Sequence, residues 1–122
     1  MKLEVGMYAR LQNDTENIVI INRIAKVFET SILTENDGSI YQGEYTKENV
    51  IKASYNIIDL IKSKDIILGR DGKIYQCWKI YKDYVFTYSK NKQGQTITLV
   101  DYQIDKILTK EKFEQMAYKV GE

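Results

Sequence analysis

The chain has 122 residues and a formal net charge of +1, which is the length of one ordinary domain or of two very small ones. It contains no histidine, which excludes the commonest general base, the Ser-His and Cys-His nucleophile pairs and nearly every familiar zinc site. Its single cysteine, Cys77, excludes an intramolecular disulfide, and its place in an alternating apolar run predicts a buried structural thiol.

The remaining composition favours a mainly β protein. Ten tyrosines and the absence of proline suit strands, where aromatic side chains fit a half-buried pleated surface. No apolar stretch reaches about 18 residues, and the N-terminus lacks the apolar core of a signal peptide. We therefore expect a soluble, cytoplasmic protein that does not associate with membranes.

The first half reads as a series of short strands. Residues Lys2 to Leu11 alternate apolar and polar side chains, which predicts a strand with Arg10 on its outward face. Strands are also predicted over Ile18–Ile24, Val27–Leu33 and Ile40–Tyr45, with Val50-Ile51 closing the half. The dipeptide Asp37-Gly38 predicts a hairpin turn, because it supplies the positive backbone angles that a two-residue loop needs.

The stretch Val50 to Gly69 is predicted to join two related halves. Asn56 is placed to cap a short helical turn over Ile57–Ile61, whose apolar side chains share one face. Such a turn would close the open end of a small barrel.

The second half repeats the strand-rich pattern. Asp71-Gly72 predicts a hairpin that pairs Ile66–Arg70 with Lys73–Tyr81. Further strands are predicted over Tyr84–Tyr88, Thr96–Val100 and Tyr102–Leu108, followed by a helix from Lys110 to Met116 that Thr109 caps.

The two halves therefore predict two tandem small SH3-like β-barrels packed together, with one short C-terminal helix. The predicted boundaries are 1–54 for the first barrel, 55–65 for the linking turn, and 66–122 for the second barrel with its helix. The closing segments ENVIKAS (48–54) and IDKILTK (104–110) align with Ile51 over Ile107, so the pattern indicates an internal duplication.

The string KASYNIIDLI at the joint and the closing string ILTKEKFEQMAYKV resemble a group of small phage and prophage proteins of low-GC Gram-positive bacteria, mostly of unassigned function. In that group a VGMYAR-like opening, an IKAS-NIIDLI-like centre and a TKE-F-MAYKV-like end recur together, so the resemblance covers most of the chain. The present sequence departs from the group at Tyr55, where histidine is common. The resemblance implies a small accessory role, such as counteracting bacterial immunity.

The second half also carries the candidate binding surface. Residues 62–92 contain eight Lys/Arg and three Asp/Glu, a net charge of +5, and they include the densest aromatic cluster, to which Phe86 belongs. Basic and aromatic side chains together are what base stacking and phosphate contact require. Strand alternation puts Trp78 and Lys79 on opposite faces, so they would meet one ligand only at a sheet edge or across a bulge. The predicted ligand-binding residues are Arg70, Trp78, Lys79, Tyr81, Lys82, Tyr84 and Tyr88. The alternative is an aromatic core surrounded by solvated lysines.

No nucleophile-base pair, paired acid/base carboxylates or P-loop can be assembled from the sequence, so we expect a non-enzymatic binding protein without a cofactor or metal. The resemblance favours counter-defence, by sequestering a nucleotide immune signal or by blocking a host defence protein. A nucleic-acid-binding regulatory or accessory module is the alternative. We also expect a homodimer, because small barrels have exposed strand edges.

Overall fold

Ten strands, all paired antiparallel, run through the residues that the computed structural model describes, which are 2–12, 19–36 and 39–114. The chain divides into two units, Met1–Leu60 (unit 1) and Ile61–Glu122 (unit 2), and each contains one five-stranded sheet. The prediction of a mainly β chain is therefore confirmed. The hairpin turn predicted at Asp37-Gly38 lies outside the described residues.

In unit 1 each of the first three strands pairs with the next, and the fifth returns to pair with the first. The strands are β1 (Tyr8–Gln12), β2 (Val19–Val27), β3 (Ser31–Asn36), β4 (Ser39–Thr46) and β5 (Val50–Ser54). A 3₁₀ turn over Lys47–Asn49 leads into β5. The core is apolar and comes from four of the strands, through Ala9, Leu11, Ile24, Ile32 and Val50.

The last segment of unit 1 is the predicted helical turn, which the structure shows as a 3₁₀ turn over Ile57–Leu60. The Asn56 side chain caps it, since its Oδ1 accepts a hydrogen bond from the Ile58 backbone N–H at 3.1 Å. Ile57, Ile58 and Leu60 are buried. The sequence prediction of an Asn56-capped apolar turn is confirmed.

Arg10 corrects the predicted opening strand. Strand β1 begins only at Tyr8, and Arg10 is buried rather than on an outward face. Its Nη1 donates a hydrogen bond to the Leu60 carbonyl oxygen at 2.9 Å, at the end of the 3₁₀ turn. Alternation failed here because the turn covers the second face of β1, which the sequence assigned to solvent.

Unit 2 has the same strand order as unit 1. Its strands are β6 (Ile66–Gly69), β7 (Ile74–Ile80), β8 (Tyr84–Lys90), β9 (Thr96–Val100) and β10 (Ile104–Leu108), and β10 pairs with β6. A 3₁₀ turn over Asp101–Gln103 leads into β10, as its counterpart leads into β5. The predicted Asp71-Gly72 hairpin between β6 and β7 is confirmed, with Gly72 at φ +81°.

The repeat extends to single residues. Thr34 on β3 and Thr87 on β8 are both buried, and each hydroxyl donates to a carbonyl oxygen of the next strand, that of Gly43 at 3.3 Å and of Ile97 at 2.9 Å. Ile24 pairs with Thr34, and Cys77 pairs with Thr87. The same hydrogen bond from a buried threonine to a carbonyl oxygen therefore occurs at corresponding positions of the two units.

The strand register also corrects the sequence alignment of the closing segments. Val50 pairs with Leu11 in unit 1, and Ile104 pairs with Gly69 in unit 2, so Val50 corresponds to Ile104. Ile51 then corresponds to the bulged residue after Ile104 and not to Ile107. The alignment matched apolar residues, whereas Ile51 is itself the bulged residue of β5 and is 44% exposed.

The C-terminal helix begins where the sequence predicts, with residues 110–114 helical and residues from 115 outside the described ranges. Thr109 is its N-cap, because its Oγ1 accepts a hydrogen bond from the Lys112 backbone N–H at 3.2 Å. The buried Asp65 anchors this end of the helix, since its Oδ1 accepts from the Lys110 backbone N–H at 2.9 Å. Its Oδ2 accepts from the Lys62 backbone N–H at 2.8 Å.

Candidate functional site

Strands β7 and β8 of unit 2 carry an exposed cluster of aromatic and basic side chains. Successive residues of a strand point to opposite faces. On β8, Val85 and Thr87 are buried, while Tyr84, Phe86 and Tyr88 lie on the other face. We call the cluster the aromatic–basic surface, and its members are Trp78, Lys79, Tyr81, Lys82, Tyr84, Phe86 and Tyr88.

A β-bulge in β7 brings Trp78 and Lys79 to the same face. Cys77 pairs with Thr87 and Lys79 pairs with Phe86, so Trp78 is an extra residue that opposes none on β8. Lys79 Nζ lies 5.1 Å from the centroid of the Trp78 ring, within cation–π range. Strand alternation separates these two side chains, and the bulge removes that separation.

Phe86 is the centre of the ring cluster. Its ring centroid lies 6.3 Å from that of Trp78, 4.9 Å from that of Tyr81 and 5.6 Å from that of Tyr84. The sequence analysis placed Phe86 in the cluster but not among the ligand-binding residues. Its spacing of two from both Tyr84 and Tyr88 is the signal that would have included it.

The outer rings form two pairs. Tyr81 and Tyr84 stack with centroids 4.9 Å apart and an interplanar angle of 18°. Trp78 and Tyr88 are tilted, with centroids 6.2 Å apart. These four side chains are between 37% and 51% exposed, so they lie outside the core. The alternative interpretation, in which these four rings fill the core, is therefore wrong. The buried residues of β7 and β8 are instead Tyr75, Cys77, Val85 and Thr87.

The predicted ligand-binding residues fall into two places. Lys82 directly follows Tyr81 and is exposed beside the cluster, in the turn between β7 and β8. Arg70 lies in the β6–β7 turn, where its backbone N–H donates to the Gln103 carbonyl oxygen at 2.9 Å. That turn is at the Ile74 end of β7, and Trp78 is four residues further along, or about 13 Å of extended strand. The structure therefore joins five of the seven predicted residues by ring or cation–π contacts, places Lys82 in the adjoining turn, and leaves Arg70 apart from them.

Unit 1 provides an internal comparison for the surface. It has the same bulge, because Ile24 pairs with Thr34 and Lys26 pairs with Leu33, which makes Ala25 the extra residue. The turn is also the same, since the Phe28 N–H donates to the Ser31 carbonyl at 2.8 Å and the Tyr81 N–H to the Tyr84 carbonyl at 2.9 Å. Where unit 2 has Trp78, Tyr81, Tyr84, Phe86 and Tyr88, unit 1 has Ala25, Phe28, Ser31, Leu33 and Glu35. The strand pattern therefore folds without the aromatic cluster.

Two groups near the surface have structural roles instead. Burial raises the pKa of the Cys77 thiol to about 11, with a further contribution from the negative charge of Asp65, so this thiol stays protonated at neutral pH. The predicted buried thiol is confirmed. A hydrogen bond from the Tyr75 hydroxyl, at 2.7 Å, lowers the pKa of Asp71 in the β6–β7 turn.

Within the described ranges no three Cys, Asp or Glu side chains are grouped in a way that would hold a metal ion. Of the helices in that part of the chain, none has the length and apolar character required to span a membrane. Comparison of the chain with protein-family models, with curated proteins and with solved structures gave no match.

Proposed function

We propose that the chain is a non-enzymatic binding protein and that its ligand carries both an aromatic ring system and a phosphate group. One observation carries this proposal, the β7 bulge that places the Lys79 ammonium group over the Trp78 ring within a cluster of half-exposed rings. A nucleobase stacks on exposed aromatic rings, and a lysine beside them offsets the phosphate charge. The acidic first half, with six Lys/Arg and nine Asp/Glu in residues 1–61, would repel the same ligand.

The scaffold for this function, we propose, is a pair of SH3-like barrels, one in each unit. Support comes from the five short antiparallel strands of each unit, from the 3₁₀ turn before the last strand, and from the return of that strand to the first. In such a scaffold the rings on β7 and β8 would be on the outer surface of the second barrel. The exposure of 37–51% for Trp78, Tyr81, Tyr84 and Tyr88 agrees with that placement.

The phage resemblance gives this binding activity a context, namely counter-defence in the cytoplasm of the host cell. The protein would sequester a nucleotide immune signal through the aromatic–basic surface, or it would cover a host defence protein with the same surface. We favour the nucleotide, because a lysine over the exposed Trp78 ring suits an anion, and because lysine is depleted from protein–protein interfaces.

Reversal of charge on the surface tests the proposal. The variant Lys79→Glu/Lys82→Glu should bind nucleotides at least tenfold more weakly than the natural chain, because a lost charged contact costs about 1–3 kcal/mol. Binding can be followed by quenching of the single tryptophan, Trp78, and by calorimetry. The melting temperature should hardly change, since exposed charges contribute little to stability.

The matched control is Lys26→Glu/Lys52→Glu, which makes the same charge change at two exposed lysines of unit 1, one of them the counterpart of Lys79. It should retain nearly full affinity. Equal weakening in both double variants would show a nonspecific charge effect, and full binding by the Lys79/Lys82 variant would show that the site assignment is wrong.

A second candidate function is binding of single-stranded nucleic acid, in the role of an accessory or regulatory module. The observation that favours it is the continuous row of ring contacts from Tyr88 through Trp78 and Phe86 to Tyr81, which offers stacking positions to successive bases. Salt separates the two functions. Affinity for a nucleic acid that contacts several lysines through its phosphates should fall steeply with salt, whereas affinity for a small nucleotide should fall much less.

A further inference from the structure

Phe86 divides the aromatic–basic surface into two parts of similar make-up. On one side, Trp78 and Tyr88 are in ring contact and Lys79 Nζ lies over the Trp78 ring. On the other side, Tyr81 and Tyr84 are stacked, and Lys82 follows Tyr81 directly in the chain. We call these the Trp78 subsite and the Tyr81 subsite. Each subsite therefore has a pair of rings, with the Lys79 ammonium group over the Trp78 ring at one and an exposed lysine, Lys82, next in the chain to Tyr81 at the other.

The ring distances limit the separation of the two subsites. The Phe86 centroid lies 6.3 Å from that of Trp78 and 4.9 Å from that of Tyr81, so the Trp78 and Tyr81 centroids are no more than about 11 Å apart. One nucleobase covers one ring pair. Two bases that are linked through a sugar–phosphate backbone span a distance of this order when they are unstacked from each other.

We propose that the ligand is a free dinucleotide, with one base at each subsite and its phosphates facing Lys79 and Lys82. This inference rests on the proposed function, and it adds that the surface binds two bases at the same time. Since stacking of a base on an aromatic side chain strengthens binding roughly tenfold to a hundredfold, the second base is the main source of selectivity over mononucleotides. The half-buried Phe86 forms the floor between the two bases.

The charges beside the rings favour a dinucleotide over a long strand. The surface has two ammonium groups, and Asp83 immediately follows Lys82, so a phosphate backbone running past the Tyr81 subsite would approach a carboxylate. Arg70 lies in the turn before the Ile74 end of β7, and Ile74 is itself about 13 Å of extended strand from Trp78, so Arg70 does not extend the basic track next to the rings. Two phosphates match the ammonium groups of Lys79 and Lys82, whereas a longer backbone would have to reach Lys90, two residues beyond Tyr88 on β8, for its next cation.

The test compares ligands of one and two bases on the full chain. Dissociation constants are measured for adenosine monophosphate, for linear and cyclic diadenylate, and for a single-stranded oligoadenylate of about twelve nucleotides. We expect at least one of the two dinucleotides to bind tenfold or more tightly than the mononucleotide. The oligoadenylate should bind more tightly than the dinucleotide only by the statistical factor that comes from the several positions along the strand at which it can bind.

Two substitutions remove the subsites one at a time, and both introduce the residue that unit 1 already has at the corresponding position. Trp78→Ala reproduces Ala25 at the same bulge, and Tyr84→Ser reproduces Ser31 after the same turn. Each variant should lose the advantage of the dinucleotide, so that the dinucleotide then binds no more than about threefold more tightly than the mononucleotide. A circular dichroism melt confirms that each variant is folded.

The outcomes separate this inference from the proposed function. If mononucleotide and dinucleotides bind equally and both substitutions weaken them alike, the two-base ligand is wrong and the proposed function stands. If the oligoadenylate binds more than tenfold more tightly than either dinucleotide, with a steep salt dependence, the ligand is a nucleic acid and the dinucleotide is wrong. If none of the probes binds, both the inference and the nucleotide-binding function are wrong.

Discussion

Replacing Asp65 by asparagine should destabilise unit 2 without touching the aromatic–basic surface. The Asp65 carboxylate is fully buried, and each of its oxygens accepts a backbone N–H, from Lys62 at 2.8 Å and from Lys110 at 2.9 Å. The hydrogen bond from Lys62 is local to the start of unit 2. The hydrogen bond from Lys110 anchors the first residue of the C-terminal helix. Asparagine keeps one acceptor, but its NH₂ group faces the other N–H.

The cost follows from these two contacts. Asp65→Asn removes one hydrogen bond to a buried carboxylate and turns the asparagine NH₂ group toward a part-buried N–H, which costs about 2–3 kcal/mol of unfolding free energy. For a unit of this size, 1 kcal/mol corresponds to about 4–8 °C in melting temperature, so a decrease of about 10–20 °C is expected. Asp65→Ala removes both acceptors and should cost more than Asp65→Asn.

Urea unfolding followed by tryptophan emission measures this effect directly. Trp78 is the single tryptophan of the chain and lies in unit 2, so its emission reports the unit that contains Asp65. The midpoint should fall while the slope with denaturant stays the same. Asp105→Asn is the control, because Asp105 is an exposed carboxylate on β10 and should change stability by less than about 0.5 kcal/mol. A change for Asp65→Asn as small as that of the control would refute the reasoning.

Two further predictions concern the β6–β7 turn and self-association. The Tyr75 hydrogen bond lowers the folded-state pKa of Asp71, so its stabilising effect is present above the unfolded pKa of about 3.9 and is lost as the pH falls through the folded value. Tyr75→Phe should therefore raise the Asp71 pKa toward its ordinary value and weaken the acid dependence of stability below about pH 4, and an unchanged carboxyl titration by NMR would contradict this. We also expect a homodimer, because each sheet ends on two terminal strands, β4 and β5 in unit 1 and β9 and β10 in unit 2, where a second copy can pair. A strict monomer by light scattering at high concentration would count against it.

Local signals in the sequence predicted much of the fold, because turns and caps depend on a few adjacent residues. Asp71-Gly72 specifies its hairpin through positive φ at Gly72, and Asn56 and Thr109 cap turns whose N–H groups lie two or three residues away. None of these predictions requires knowledge of the residues that pack against the segment. The mainly β character follows from the same short-range patterns.

The features that sequence reasoning missed depend on contacts between distant residues. Arg10 is buried because its partner, the Leu60 carbonyl, is 50 residues away in the chain. The sequence left open whether an edge or a bulge brings Trp78 and Lys79 together, because the bulge depends on how β7 pairs with β8, and alternation within β7 alone assigns the two side chains to opposite faces. The separation of Arg70 from the cluster likewise follows from strand direction, since residues close in sequence can lie at opposite ends of one strand.

The internal repeat argues against a purely structural origin for the aromatic–basic surface. If the bulge required a tryptophan, unit 1 would need one, yet the same bulge there has Ala25. If the turn between the two strands required stacked tyrosines, unit 1 would need them, yet it has Phe28 and Ser31 with the same backbone hydrogen bond. Half-exposed rings gain only part of the free energy of burial, and they leave an apolar surface open to unwanted association. A surface with that cost occurs in one of two units that share the strand order and the bulge, and this difference supports the proposal that a ligand binds to it.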